Sequence, residues 1–239
     1  MEINVINPQI LSVLDKTKDM FLEHEDVCKE LSNVIIEGMN LNNNEDTYID
    51  DGIDKTPTPD WEKYCGEEWF WKQYDKGEKH SGFPEQAYGF QVAHGVKKRP
   101  DLFTDLKNWA KGDLPREFGA SSSSLVSYYP PNGFVGWHTN WNAFGWQMIL
   151  TWSQDGDGYF SYYDKEKNEI ITEQDVKGWQ GRWYRFGRLD EPEHHCWHCA
   201  WTNCPRITLA FKFPYGKLSE RLGTTYDAIQ DMIERLETA

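Results

Sequence analysis

The chain predicts a mainly β core, a sandwich or barrel, with helices packed on it from both ends. Three observations carry this expectation. Between Leu125 and Phe213, seven short β-like runs follow one another closely. Turn chemistry separates several of them, in Pro130-Pro131-Asn132-Gly133, Asp155-Gly156-Asp157-Gly158 and Lys165-Glu166-Lys167-Asn168. Both ends of the chain instead carry apolar residues at helical spacing.

Taken in order, Gln9–Met39 reads as helical, with Leu11, Leu14, Met20, Phe21, Val27, Leu31, Val34 and Ile35 recurring between charged residues. Asn40–Asp60 is polar and acidic, holds Pro57 and Pro59, and reads as a loop or extended strip. It lacks the alternating acids and sixth-place Gly of a calcium loop. Trp61–Pro115 mixes aromatic and charged residues, with a short helix over Phe103–Trp109 and no chemical motif. The β-like runs are Leu125–Tyr129, Gly145–Trp152, Gly158–Tyr163, Glu169–Thr172, Arg182–Phe186, Cys196–Thr202 and Arg206–Phe213. Lys217–Thr238 closes the chain with helical spacing at Leu218, Leu222, Ile229, Ile233 and Leu236. The 239 residues fit one domain: 1–124 helical and loop-rich, 125–213 the β core, 214–239 a closing helix.

Aromatic residues make up 15% of the chain, and eight of its twelve Trp lie between Trp137 and Trp201, so the core is built from large pieces. The formal charge of −14 repels phosphate backbones and anionic membranes. Lys97, Lys98 and Arg99 form the compact basic cluster and read as a solvated loop. No apolar stretch reaches the length of a membrane-spanning helix. The opening Met1-Glu2-Ile3-Asn4 lacks the basic-then-apolar pattern of a secretory signal, and five Cys is an odd number. The expectation is a cytoplasmic protein with free thiols.

Chemistry gathers in two places. One is Gly136-Trp137-His138-Thr139-Asn140; the other is Glu193-His194-His195-Cys196-Trp197-His198, followed by Pro205-Arg206-Ile207-Thr208. Along the last strand, Ile207, Leu209, Phe211 and Phe213 alternate with Arg206, Thr208, Ala210 and Lys212. Arg206 and Thr208 therefore share a face, a guanidinium beside a hydroxyl, which suits a carboxylate. In the strand before, His198, Ala200 and Thr202 share one face, and the small residues leave room beside His198.

This set resembles the non-haem iron, 2-oxoglutarate-dependent oxygenases. Tyr129 to His138 looks like the lead-in to that family's first His. His198 to Arg206 looks like its closing motif, with an Arg-x-Thr at 206–208. The resemblance covers about Leu125 to Phe213. It implies a double-stranded β-helix of jelly-roll or cupin type, with flanking N- and C-terminal helices. It further implies Fe(II) held by His138 and His198, with 2-oxoglutarate as cosubstrate and its far carboxylate on Arg206 and Thr208 near Tyr129. The implied activity is a hydroxylase of a protein, peptide or small molecule. His138, His198 and Arg206 then carry the reaction.

One residue departs from the pattern: Asn140 stands where the family's third ligand is Asp or Glu. The His-x-x-Trp of His198 to Trp201 is similar to the aspartyl/asparaginyl hydroxylase branch, part of a group that manages without that acid. Three alternatives stay open at this point. His195 competes with His198 as the second ligand. Cys196, Cys199 and Cys204 with neighbouring His suggest a structural zinc, against which Cys196 and Cys199 fall on opposite strand faces. The barrel could also be a non-catalytic binding module that has lost its triad.

Overall fold

A computed structural model describes residues 2–36, 58–75, 82–213 and 224–238. Eight strands form the core: β4 (Ser122–Tyr129), β5 (Gly133–His138), β6 (Gly145–Ser153), β7 (Gly158–Asp164), β8 (Glu169–Gln174), β9 (Gly178–Phe186), β10 (His198–Thr202) and β11 (Arg206–Lys212). Antiparallel pairing runs β9-β6-β11-β4 in one sheet and β5-β10-β7-β8 in the other. Counted from β4 to β11, that is order 6-3-8-1 facing 2-7-4-5. This is the strand order of a double-stranded β-helix.

Three shorter strands extend it. β1 (Glu2–Asn4) pairs with β9, and β2 (Asn33–Ile36) pairs with β3 (Gln86–Gln91). β3 in turn bridges the two sheets through β4 and β5.

Helices cover the outside. α1 (Pro8–Leu22) starts at Asn7, whose Oδ1 accepts from the backbone N–H of Gln9 and Ile10, with Pro8 set in the first turn. It buries Ile10, Leu14 and Phe21. With α2 (Glu25–Glu30), it joins a core that includes Met148, Leu150, Trp179, Trp183, Ile207, Leu209, Phe211 and Phe213 from the outer face of the first sheet. α3 (Trp61–Tyr64) and α4 (Glu67–Asp75) pack on the other sheet, where Phe70 meets Phe134, Trp137, Tyr163 and Trp197. α5 (Val92–Lys98), α6 (Pro100–Asn108), a π turn (Trp109–Asp113) and α7 (Leu114–Glu117) complete the first layer. The closing helix α8 (Thr224–Glu237) adds Ile229, Met232 and Leu236 to it.

A separate cluster of Ile149, Phe160, Tyr184, Phe186, Ala200 and Ala210 fills the space between the sheets. The alternation read along the last strand is therefore real: odd-numbered residues of β11 face helices, and Arg206, Thr208 and Ala210 face the barrel interior.

Several boundaries differ from the sequence reading. The single helix over Gln9–Met39 is two helices followed by β2, because Val34 pairs with Tyr88 at a sheet edge and tertiary pairing outweighs local periodicity. Residues 37–57, which hold most of the acidic strip, lie outside the described residues, as do Met39 and Leu218 to Leu222. The segment leading into His138 is a strand, β5, and Cys196 and Trp197 precede β10 rather than belong to it. Among the described residues, no helix is long and apolar enough to cross a membrane.

Phe211 is fully buried and stacks on Phe118 with ring centroids 4.9 Å apart. Phe211→Ala should lower the unfolding free energy by about 3–5 kcal/mol. Urea denaturation checks this, and a loss below about 1 kcal/mol would show that the helix–sheet layer is not the folding core described.

Candidate metal centre

Strict alternation along β5 would send His138 outward, because Phe134 lies four residues earlier and packs outside against Phe70. A bulge corrects this. β10 pairs His198 with His138 but Ala200 with Val135, so two residues of β5, Gly136 and Trp137, stand opposite Cys199. Beyond the bulge Trp137 faces outward, and its Nε1 donates to the Cys65 carbonyl at 3.0 Å. His138 is thereby turned inward. Gly136 suits the position: a Cβ there would lie 2.8 Å from the Gln86 carbonyl oxygen and 3.1 Å from the Tyr64 Cβ.

His138 and His198 then face each other with ring centroids 4.1 Å apart, both buried. The Nδ1 of His138 donates to the Gly136 carbonyl at 2.9 Å, and the Nδ1 of His198 donates to the Cys196 carbonyl at 2.9 Å. Those bonds fix the tautomer of each ring and leave both Nε2 atoms as lone-pair donors, the arrangement metal-binding imidazoles adopt. Burial holds His138 down at about 4, and burial with the neighbouring His138 pushes His198 well below the usual range. Both rings are neutral at pH 7, as metal ligation requires.

Asn140 completes the arrangement. Its backbone is left-handed (φ 58°), which Asn tolerates better than most residues, and its Nδ2 lies 3.2 Å from His198 Nε2. Turning that amide would present its oxygen instead. Two imidazoles and an amide form a neutral donor set that fits a divalent ion with open positions. Among the described residues, no group of three or more His, Cys, Asp or Glu is gathered where it could hold a metal ion, and the site rests on the two imidazoles with the Asn140 amide.

The other candidates are not part of this pair. His195 is buried, but its Nε2 binds the Arg188 carbonyl at 2.6 Å, and His194 is exposed beside Glu193. Cys196 packs with the barrel interior and Cys199 with the opposite face, and all five cysteines are free thiols.

Arg206 and Thr208 are neighbours as expected, with Nη1 donating to the hydroxyl at 3.1 Å, and Tyr129 sits opposite Arg206 across β4 and β11. A carboxylate is already present there, from the chain itself. Asp175 is fully buried and accepts from Arg206 Nε at 2.8 Å and from Gln180 Nε2 at 2.6 Å. Gly158 admits it, since a Cβ there would lie 2.9 Å from Asp175 Oδ2. A second buried arginine, Arg182, donates from Nε to Glu173 at 2.6 Å and lies 3.4 Å from Asp175 through Nη1. Sequence reasoning missed Asp175 and Arg182. Asp175 sits beyond the end of a recognised strand, with no periodicity to mark it. Arg182 was legible, because Gln180, Arg182, Tyr184 and Phe186 alternate on one face.

No family profile matches the chain, and no curated protein matches it. Solved structures do. A prolyl-4-hydroxylase from Pseudomonas putida aligns over 90% of this chain and 92% of its own at 9% identity and a TM-score of 0.38. A ribosomal oxygenase from Escherichia coli aligns over 65% and 39% at 14% identity and 0.30. A CENP-C cupin domain from Drosophila melanogaster aligns over 37% and 56% at 10% identity and 0.25, so the chain spans about half the length of that relative. The fold follows from the strand order.

The His138 shift has a stability consequence. Its pKa is about 4 in the folded state against 6.5 ordinarily, so the unfolded chain takes up a proton first as pH falls. The associated stability is complete above pH 6.5 and is lost as pH drops toward 4. Metal-free protein should therefore melt at progressively lower temperature across that window, with a shallower decline in His138→Gln. Identical declines in the two proteins would show that His138 is not buried neutral.

Proposed function

We propose that the protein is an Fe(II)- and 2-oxoglutarate-dependent oxygenase, a hydroxylase of a protein, peptide or small molecule. The observation that carries this reading is the buried His138–His198 pair, with ring centroids 4.1 Å apart and each ring fixed through Nδ1 so that Nε2 keeps its lone pair. His138 and His198 would hold the iron, with Asn140 or a small ligand beside them. Bound iron would supply the site where oxygen is activated at the expense of the keto acid.

The chain's own residues do the rest. The Gly136 and Cys196 carbonyls orient the two rings. Phe160 and Phe186, with ring centroids 5.4 and 5.1 Å from His198, exclude water from its side. Arg206, Thr208 and the buried arginine network make the inner end of the barrel suited to an anionic cosubstrate. The negative overall charge favours a substrate other than nucleic acid.

A second reading has its own support. The Asn140 amide already occupies His198 Nε2, and Asp175 already occupies Arg206. A barrel satisfied internally in this way could serve as a non-catalytic binding module.

An anaerobic titration with Fe(II) and 2-oxoglutarate separates the two. The oxygenase reading expects a weak visible charge-transfer band that needs both components and is lost in His138→Ala. Absence of the band at every iron concentration would favour the binding module. Asn140→Asp should tighten iron in the same titration by restoring a charged third ligand. Unchanged affinity would mean that residue 140 does not reach the metal.

A further inference from the structure

Among the described residues, two polar atoms on the β6–β9 part of the barrel's inner wall are buried without a hydrogen-bond partner: Arg182 Nη2 and Thr151 Oγ1. Both side chains belong to nearly inaccessible residues, Arg182 at 1% and Thr151 at 0% exposure. Folding rarely leaves buried donors unmet, so such a pair marks a place for a ligand or ordered water. The two are neighbours. Arg182 pairs with Ile149 and Thr151 pairs with Gln180 across β6 and β9, which places them diagonally on the same face. Thr208, across β11, lies opposite Thr151.

Their depth matters. His198 pairs with Tyr162 and Ala200 with Phe160, so Phe160 lies one pleat inward of the histidines. The Phe160 ring stacks against His198, and the Arg182 guanidinium lies 5.6 Å from the centre of that ring. The Arg182 guanidinium therefore reaches from the Phe160 level, about two strand residues or roughly 7 Å inside the metal end, inward to Asp175, 3.4 Å from Nη1. Arg206 lies deeper. From the register Ala210–Ile149–Arg182, it is four residues further along β11. Its Nε is engaged by Asp175 and its Nη1 by Thr208.

We propose that Arg182 and Thr151, rather than Arg206, receive the far carboxylate of a short dianion whose other end lies at the histidine pair. This rests on the oxygenase reading of that pair. A chain of about five carbons spans such a gap when extended, given C–C bonds of about 1.5 Å. Arg182 Nη2 and the Thr151 hydroxyl offer two donors to one carboxylate, and Asp175 keeps Arg206 from competing for it. Asp175 and Glu173 also balance the two arginines, so the site is not strongly cationic before the ligand enters.

Isothermal titration with two probes tests this: 2-oxoglutarate with and without Fe(II) under argon, and glutarate, which lacks the keto group. The proteins are wild type, Thr151→Val, Arg182→Lys and Arg206→Lys. Glutarate should bind metal-free wild type. Thr151→Val and Arg182→Lys should each weaken it by about tenfold or more, and Arg206→Lys by less. Thr151→Val preserves shape and removes an unmet hydroxyl, so its thermal stability should match or exceed wild type while binding falls. A purely structural role for Thr151 would leave binding unchanged. Loss confined to Arg206→Lys overturns the proposal and leaves the oxygenase reading standing. Glutarate binding with the expected losses, but no gain for 2-oxoglutarate from Fe(II), upholds the seat and removes the oxygenase reading. No binding of either anion to wild type overturns both.

Discussion

The site depends on a one-residue slip in β5. Without the bulge at Gly136 and Trp137, His138 would join Phe134 on the outer face and the histidine pair would not exist. The slip is held from outside. Trp137 is anchored on the Cys65 carbonyl and packed against Phe70, both from the N-terminal half of the chain. The bulge also depends on the absence of a side chain at 136, where the Gln86 carbonyl and Tyr64 approach closely. The described residues of the N-terminal half thus contribute to the site by shaping the strand that carries the first histidine.

The interior is graded from one end to the other. Imidazoles stand at one level, an aromatic and aliphatic cluster of Phe160, Phe186, Ile149, Ala200 and Ala210 packs inward of them, and arginines with hydroxyls and acids follow. Burying arginines is tolerable only because Asp175 and Glu173 accompany them. The same pairing sets which guanidinium donors are left for a ligand. In the proposed function, this polarity would seat an anion at the inner end and leave the neutral end for a metal. That links the packing of β8 and β9 to the chemistry at β5 and β10.

Much of this was legible in the sequence. Alternation along 206–213 put Arg206 and Thr208 on one face, the same period put His198 with Ala200 and Thr202, and the structure turns both faces inward. The limits are physical as well. A bulge breaks the period-two rule, so the direction of His138 was not readable from β5 alone. Helical periodicity over Val34 and Ile35 gave way to edge pairing with β3. Asp175 lies in a connection, where no pattern shows whether an acid meets water or a buried guanidinium. Asn140 was read as a departure from the family pattern; its left-handed backbone and contact with His198 gave it a place beside the pair.

His138 and His198 are proposed to hold a metal together. X-ray absorption on protein loaded with one equivalent of Zn(II), an inert probe, addresses it directly. Ligation by both histidines predicts nitrogen and oxygen neighbours at about 2.0–2.1 Å, with the scattering signature of two imidazoles falling to one in His198→Ala. A sulfur shell at about 2.3 Å, or an imidazole signature that survives in both His138→Ala and His198→Ala, would contradict it.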